Sequence, residues 1–329
     1  MNSKHVWGTS KPYFGYADYT RQKFGRRVQK IAVNADFTCP NRDGTVAWGG
    51  CTYCNNDSFS PQHLSATDAI RSQVVQGLEF MKRRYKTDQF VVYFQAYSNT
   101  YAPLETLKTL YEAALDFPEV IGLTIGTRSD CIDEEKLKYL DSLAEENYIT
   151  IEYGLESKHD KTLRLINRGH DFKSWVDVMA LTKSFANINT CAHIIFGLPG
   201  ETTKMMLENV HAVNDAGVDY IKLHQLHIVK KTVLAIQYER KPFPLFTFKD
   251  YLELVVDFLE RLKPEISVQR LFGEAHPRIL IAPHWNVSPG QMVQAVVDEF
   301  AKRNSWQGKH YKSGRQITDK QYSVEEIQF

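Results

Sequence analysis

The feature that most constrains the fold is an alternation of two periodicities. Six short runs, mostly apolar and rich in β-branched and aromatic residues, fall at 28–34, 90–95, 120–127, 148–155, 191–198 and 220–228. Runs of this kind read as strands buried on both faces. Between them the apolar residues switch to the three-and-four spacing of one helix face. Ile70, Val74, Leu78 and Met81 form one such stripe, and Leu104, Leu107, Tyr111 and Ala114 another. Asp133 suits the N-cap of a helix carrying Leu137, Leu140 and Leu143. Phe172, Trp175, Val176 and Met179 make a further stripe. Thr202 or Thr203 opens a helix with Met206, Leu207, Val210 and Val213 that stops near Gly217.

A β-α unit repeated about six times, with crossovers of roughly 30 residues, calls for parallel strands and right-handed helical connections. Six units are fewer than a complete barrel has. A partial barrel and a doubly wound sheet both satisfy the pattern. Past 230 the pattern changes. Pro242, Pro244 and Pro264 flank a helical stretch at 248–262, followed by a strand-like 266–272 and an amphipathic helix near 290–303. The expected organisation is an α/β body over 1–230 with its N-terminal segment, and a C-terminal α/β extension over 231–329 packed on it. A length of 329 residues suits that division at roughly 150 residues per unit.

Lys and Arg total 40 against 39 Asp and Glu, a net charge of +1. That balance excludes strong whole-molecule attraction to nucleic acid or anionic membrane and leaves local patches open. No run approaches the roughly 18 consecutive apolar residues of a membrane span, and residues 1–9 lack the apolar core of a signal peptide. The five cysteines, Cys39, Cys51, Cys54, Cys131 and Cys191, are an odd number, which argues against a disulfide framework. A cytoplasmic enzyme with reduced thiols and no membrane partner is the expectation.

In parallel α/β barrels the chemistry sits at the carboxyl ends of the strands. The unusual residues of this chain gather there. The first strand is followed by Cys39-Pro-Asn-Arg-Asp-Gly and Gly49-Gly50-Cys51-Thr-Tyr-Cys54, the second by Gln95-Ala-Tyr-Ser-Asn-Thr, and the third ends in Gly126-Thr-Arg-Ser-Asp-Cys131. The fourth carries Glu152-Tyr-Gly-Leu-Glu156-Ser, the fifth Gly197-Leu-Pro-Gly200-Glu201-Thr and the sixth His224-Gln225-Leu-His227. Polar and glycine residues at all six ends imply one shared site. Three cysteines spaced C-x11-C-x2-C are one ligand short of the usual structural zinc. In an iron–sulfur cluster they leave one iron free to bind something else. A zinc completed by a histidine such as His63, or a Cys51/Cys54 redox pair, fits the residues as well. Cys131 and Cys191 lie on or beside apolar strands and are expected to be small buried hydrophobes.

Taken together these stretches resemble the radical S-adenosylmethionine (radical SAM) superfamily, and within it the YhcC/YtqA-type branch, which is similar to the radical domain of the Elongator catalytic subunit. The resemblance is carried also by Asn167-Arg-Gly-His170, by His193-Ile-Ile-Phe-Gly-Leu-Pro-Gly-Glu-Thr202, by Lys222-Leu-His-Gln-Leu-His227 and by Arg270-Leu-Phe-Gly-Glu274. It covers the chain from about Tyr13 to Trp285. The long first cysteine gap departs from the superfamily's common C-x3-C-x2-C and is usual in the Elongator-like branch. Gln95-Ala-Tyr stands where Gly-Gly-Glu commonly holds the methionine amino group.

The resemblance implies a partial (β/α)6 TIM-like barrel. It implies a [4Fe–4S] cluster on Cys39, Cys51 and Cys54, with S-adenosylmethionine on the fourth iron and a 5′-deoxyadenosyl radical as the product of its cleavage. Gln95 and Ser98 fall near the methionine amino group, Glu152 and Glu156 near the ribose hydroxyls, and Arg168 on the methionine carboxylate. Gly197, Gly200 and Glu201 fall near the adenine. No catalytic residue is assigned. An electron donor such as flavodoxin or ferredoxin is implied as a partner.

The Elongator-like kinship points to tRNA as substrate, at the C5 substituent of the wobble uridine. With no acetyl-CoA-binding domain expected after the barrel, trimming fits better than building. The YtqA-type resemblance implies conversion of carboxymethylaminomethyl-uridine to aminomethyl-uridine. Two basic segments agree, Arg21 to Lys30 and Lys302 to Lys320, the second interleaved with Trp306 and Tyr311. Arg270, Glu274, His276 and Arg278 either face substrate or pair with one another. Two alternatives remain open on the residues, a radical SAM enzyme of a small molecule or protein, and a zinc-stabilised binding module.

Overall fold

The computed structural model describes residues 5–55 and 69–311. Seven strands form one parallel sheet in the order β1-β2-β3-β4-β5-β6-β8. They are β1 (Gln29–Val33), β2 (Phe90–Phe94), β3 (Val120–Thr127), β4 (Tyr148–Glu156), β5 (Asn189–Phe196), β6 (Tyr220–Gln225) and β8 (Ser267–Arg270). Apart from the step to β8, neighbours in the sheet are consecutive in the chain. The sheet therefore curls as a half-barrel with its helices outside, not as a doubly wound sheet with a reversal point. A solved chain of the same architecture, described below, agrees.

Helices form where the stripes predict. Those flanking the first six strands are α1 (Tyr16–Phe24), α2 (Ile70–Arg84), α3 (Leu104–Leu115), α4 (Glu134–Ala144), α5 (Asp160–Leu165), α6 (Phe172–Lys183) and α7 (Thr203–Ala216). Asp133 caps α4 by accepting from the Lys136 amide, Thr202 caps α7 by accepting from the Met205 amide, and Gly217 ends α7 with φ 60°. Val74 and Leu78 bury their side chains against β1. Gly77 permits the close approach of α2, because a Cβ there would stand 2.2 Å from Ile31 Cγ2. One stripe is shifted. Trp175, Val178 and Met179 are buried on α6, while Val176 is 43% exposed.

The sixth run does not continue to 228. It breaks after Gln225 and resumes as β7 (Ile228–Val229), which pairs antiparallel with β9 (Leu280–Ala282). Beyond 230 come α8 (Val233–Arg240), α9 (Phe248–Leu259) and α10 (Pro289–Lys302). β8 from this part hydrogen-bonds to β6 and also receives the N-terminal segment, with the Val268 amide donating to the Phe14 carbonyl at 2.7 Å. Residues from both parts of the chain therefore share one sheet and one core. Among the described residues no helix is long and apolar enough to cross a membrane.

Candidate cluster and cofactor site

At the carboxyl ends of the strands lies a cleft of about 1290 Å³ including its mouth. The loop after β1 brings Cys39, Cys51 and Cys54 to its wall, and all five cysteines of the chain are free thiols. Gly44, Gly49 and Gly50 turn this loop with φ of 91°, 82° and 79°. A Cβ at Gly44 would stand 2.3 Å from the Trp48 ring.

A second loop, after α5, holds the first in place. Asn41 Nδ2 donates to the Asn167 carbonyl at 2.5 Å and to Cys51 Sγ at 3.6 Å, while Asn167 Nδ2 donates to the Gly50 carbonyl at 2.9 Å. Arg168 reaches across with Nη1 3.7 Å from Cys51 Sγ and Nη2 donating to the Gly154 carbonyl at 2.9 Å. The same guanidinium pairs with Glu156 at 3.4 Å. Gly154 makes this possible, because a Cβ there would fall 2.3 Å from Arg168 Nη2.

The donor set fits a cluster. Burial pushes the Cys54 thiol up to about 12 and raises Cys39, so thiolates at these positions need a positive centre between them. Buried Arg42 Nη1 and Arg168 Nε find no acceptor in the protein and are available to an anionic group. Thiolates sharing one zinc, with Zn–S near 2.3 Å, stand about 4 Å apart. Among the described residues the set of three ligand atoms within 4.8 Å of one another is Glu152, Cys191 and His193, not the three loop thiols. His63, the candidate fourth zinc ligand, lies outside the described residues.

Deeper in the half-barrel the strands themselves supply charge. Glu152 on β4 is fully buried. Its Oε1 accepts from Lys30 at 2.8 Å, and its Oε2 accepts from Lys222 at 2.5 Å and from His193 at 3.0 Å. Lys222 also donates to the Tyr93 hydroxyl at 3.0 Å. Burial alone would raise the Glu152 carboxyl, but Lys222, Lys30 and His193 outweigh it and hold the group well below the usual carboxylate range. Burial, then Lys222, pushes His193 down to about 4. His193 is thus neutral at pH 7 and donates through Nε2, since an ionised carboxylate only accepts.

The cleft brings Gln95, Glu152, Glu156 and Arg168 together with the three cysteines. Ser98, Gly197, Gly200 and Glu201 do not line it. Ser98 is buried behind the wall, its hydroxyl 3.1 Å from Thr127 Oγ1 and accepting from the Arg128 amide. Gly197 borders a separate small pocket with Leu226, Phe246 and Pro283. Gly200 turns the chain with φ 78°. Glu201 is buried with its carboxyl oxygen accepting from Ser157 Oγ. Arg270 and Glu274, read as facing substrate or pairing with one another, line the cleft, and so do Arg42, Tyr93, Arg128, His193 and Lys222, which had no role assigned from sequence. The signal for His193 and Lys222 was an ionisable residue inside an otherwise apolar strand, which is costly unless paired. Cys131 and Cys191 are buried, as expected of small hydrophobes.

Comparison with known proteins agrees with this geometry. The Radical SAM superfamily profile matches residues 41–213, and that of the Radical_SAM C-terminal domain matches 218–302. YtqA of Bacillus subtilis is 39% identical over 304 residues, covering 92% of this chain and 94% of YtqA. YhcC of Escherichia coli is 36% identical over 272 residues, 82% of this chain and 85% of YhcC. A tRNA uridine(34) acetyltransferase of Methanocaldococcus infernus is 23% identical over 187 residues, 56% of this chain and 34% of that protein. Among solved structures, the archaeal Methanocaldococcus infernus Elp3 with an N-terminal deletion superposes with a TM-score of 0.65 at 15% identity, covering 90% of this chain and 72% of that one. With the half-barrel, the three-thiol loop and these matches in hand, the chain belongs to the radical SAM superfamily, as a YhcC/YtqA-type member of a family that binds a [4Fe–4S] cluster and S-adenosylmethionine.

Proposed function

We propose that this radical SAM enzyme acts on tRNA, trimming carboxymethylaminomethyl-uridine at the wobble position to aminomethyl-uridine. The observation that carries the reading is the charge and aromatic content of the cleft. Arg42, Arg128, Arg168, Lys222 and Arg270 line it, against Glu152, Glu156 and Glu274. The loop that holds Cys39 and Cys51 also presents Trp48, 76% exposed, and beside it the Arg42 guanidinium lies 5.9 Å from the Tyr97 ring centre. An excess of cations behind exposed aromatics suits a splayed nucleotide, which needs phosphate neutralisation and a stacking face. The relative named tRNA uridine(34) acetyltransferase and the Elongator-like resemblance favour the same substrate class.

The basic segments add less than their sequence suggests. Arg21 pairs with Asp18, Arg26 with Asp88, and Lys30 turns inward to Glu152. Lys302 pairs with Glu299, and Arg303 with Asp257, Glu260 and Glu299. Residues 312–320 lie outside the described residues. Substrate attraction is therefore assigned to the cleft and its rim.

Cys39, Cys51 and Cys54 would hold the cluster, and Arg168 and Glu156 would meet S-adenosylmethionine beside it. When bound, the pair supplies one-electron cleavage of the sulfonium and the hydrogen-atom abstraction that follows, for which radical SAM enzymes need an electron donor. The protein's own share is position. Arg168 is fixed by Gly154 and Cys51, and Glu152 is held ionised so that Lys222 and His193 keep one orientation. A reducing, cytoplasmic setting suits the free thiols. Nucleoside mass spectrometry of tRNA from a deletion strain tests the reading. Accumulated carboxymethylaminomethyl-uridine with loss of aminomethyl-uridine is expected, and an unchanged profile together with no tRNA gel shift by the holoenzyme would overturn it.

A further inference from the structure

Arg270 ends β8, the strand at the sheet edge farthest from β1, and lines the cleft half-buried. The register sets His193 of β5 beside Lys222 of β6, and Lys222 beside Arg270 of β8. Three basic side chains therefore stand in a row across neighbouring strands. The first two are directed at Glu152. Elsewhere in the cleft Arg128 pairs with Asp130, and Arg168 with Glu156. At Arg270 the pattern stops. Among the described residues no carboxylate and no hydrogen-bond acceptor engages its guanidinium, although five N–H donors are present there.

The backbone that carries Arg270 is held firmly. Gln225 clamps the following turn, accepting from the Gly273 amide at 2.9 Å and donating to the Gly273 carbonyl at 3.0 Å. The Tyr251 hydroxyl donates to the Leu271 carbonyl at 2.7 Å. Gly273 packs directly on His224, where a Cβ would come within 1.8 Å of the imidazole. A guanidinium on a rigid strand end, facing a cleft and lacking an internal anion, is built to take one from a ligand. Its planar fork matches a carboxylate with two parallel hydrogen bonds, which an ammonium cannot reproduce.

We propose that Arg270 is the binding site for a carboxylate of the substrate, at the β8 side of the cleft. The identity of the carboxylate rests on the tRNA reading above. There it is the carboxymethyl carboxylate that the substrate has and the trimmed product lacks, so Arg270 would distinguish one from the other.

The test uses the reconstituted holoenzyme, Arg270→Gln and Arg270→Lys. One arm measures binding of N-benzylglycine, a small aryl-methylamine with a carboxymethyl group, against benzylamine, which has none. The other measures binding of anticodon stem-loops bearing carboxymethylaminomethyl-uridine or aminomethyl-uridine. Wild type is expected to prefer the carboxylate member of each pair by about 10-fold or more, the scale of a charge-assisted bidentate contact. Arg270→Gln is expected to lose the preference while keeping the affinity for aminomethyl stem-loop, which also reports an intact fold. Arg270→Lys is expected to recover part of it. A preference that persists in Arg270→Gln overturns the proposal and leaves the tRNA reading standing. If N-benzylglycine binding depends on Arg270 while neither stem-loop binds, the carboxylate site stands and the tRNA reading falls.

Discussion

The two ends of the cleft are built on different principles. The thiol end is a loop, shaped by glycines and tied by Asn41, Asn167 and Arg168 to a second loop. The charged floor is made of strand residues, Glu152, His193 and Lys222, whose positions the parallel ladder sets before any side chain pairs. The loop end can lose a ligand without disturbing the core. The floor cannot lose a charge, because its partners are buried with it. Function is therefore separable from stability at one end and inseparable at the other.

The sharpest way to break that contrast is at the cysteines. Cys39→Ala, Cys51→Ala and Cys54→Ala should each abolish or nearly abolish the iron–sulfur absorbance after anaerobic reconstitution, while the apoprotein melts close to wild type. Full retention of the absorbance in any of them removes that cysteine from the cluster. Removal of iron from the wild type by a chelator should likewise leave the folded far-ultraviolet circular dichroism in place.

The floor should behave in the opposite way. Glu152→Ala leaves Lys222, which burial already pushes down to about 7 against the pull of Glu152, without its counter-charge, and should cost about 3–5 kcal/mol in denaturant unfolding below that pH. The double variant Glu152→Leu/Lys222→Met should recover much of that loss, since an apolar pair of similar volume avoids the desolvation. A double-mutant cycle with no coupling would show that the pair is not the reason for the loss.

A second buried carboxyl sharpens the point, because there burial is not outweighed and the net shift runs the other way. Among the described residues no cation pairs with Glu201, and burial pushes it up to about 8, with Ser157 and Thr162 opposing. The folded protein then keeps a proton that the unfolded chain releases above its ordinary value near 4.5. Between pH 4.5 and about 8 the unfolded state binds fewer protons, so stability falls as pH rises. Each unit of that window is worth at most about 1.4 kcal/mol. Glu201→Gln, which never ionises, should gain about 2–4 kcal/mol relative to wild type between pH 4.5 and pH 8 in parallel denaturant titrations. A difference that does not change with pH would mean that Glu201 is ionised in the fold.

Much of this architecture was legible in the chain. The six apolar runs and the helical stripes depend on local periodicity, which sequence records directly, and five of the six runs match one strand each. The sixth splits at Gln225 because its side chain clamps Gly273, 48 positions away, a contact no local pattern reveals. The strand-like run at 266–272 is β8, but its pairing with β6 and Phe14 lies beyond the same limit, because partners far apart in the chain leave no local pattern. At the site, the cysteines, Glu152, Glu156 and Arg168 could be named from motifs. Lys30 could not. Its sequence setting is a basic surface segment, and only the curl of the sheet turns it toward Glu152. Ser98 and Glu201 sit in the right motifs, but their hydroxyl and carboxyl are used on neighbouring loops rather than in the cleft.

The smallest effect worth measuring lies where the two loops meet. Asn41 is fully buried, and its amide bridges the Asn167 carbonyl and Cys51 Sγ. Asn41→Ala removes two donors, leaves the Asn167 carbonyl without that partner, and should cost about 1–2 kcal/mol of stability. If the bridge also fixes Cys51, cluster content per chain should drop by a larger fraction than stability does, because a misplaced thiol loses its ligand role outright. Asn41→Asp is the informative companion. It keeps the size but places a carboxylate beside Cys51 and opposite a carbonyl, so it should lower cluster content further than alanine. Equal cluster content in wild type and both variants would mean that the glycines of the first loop set the position of Cys51 unaided, and that the second loop serves Arg168 alone.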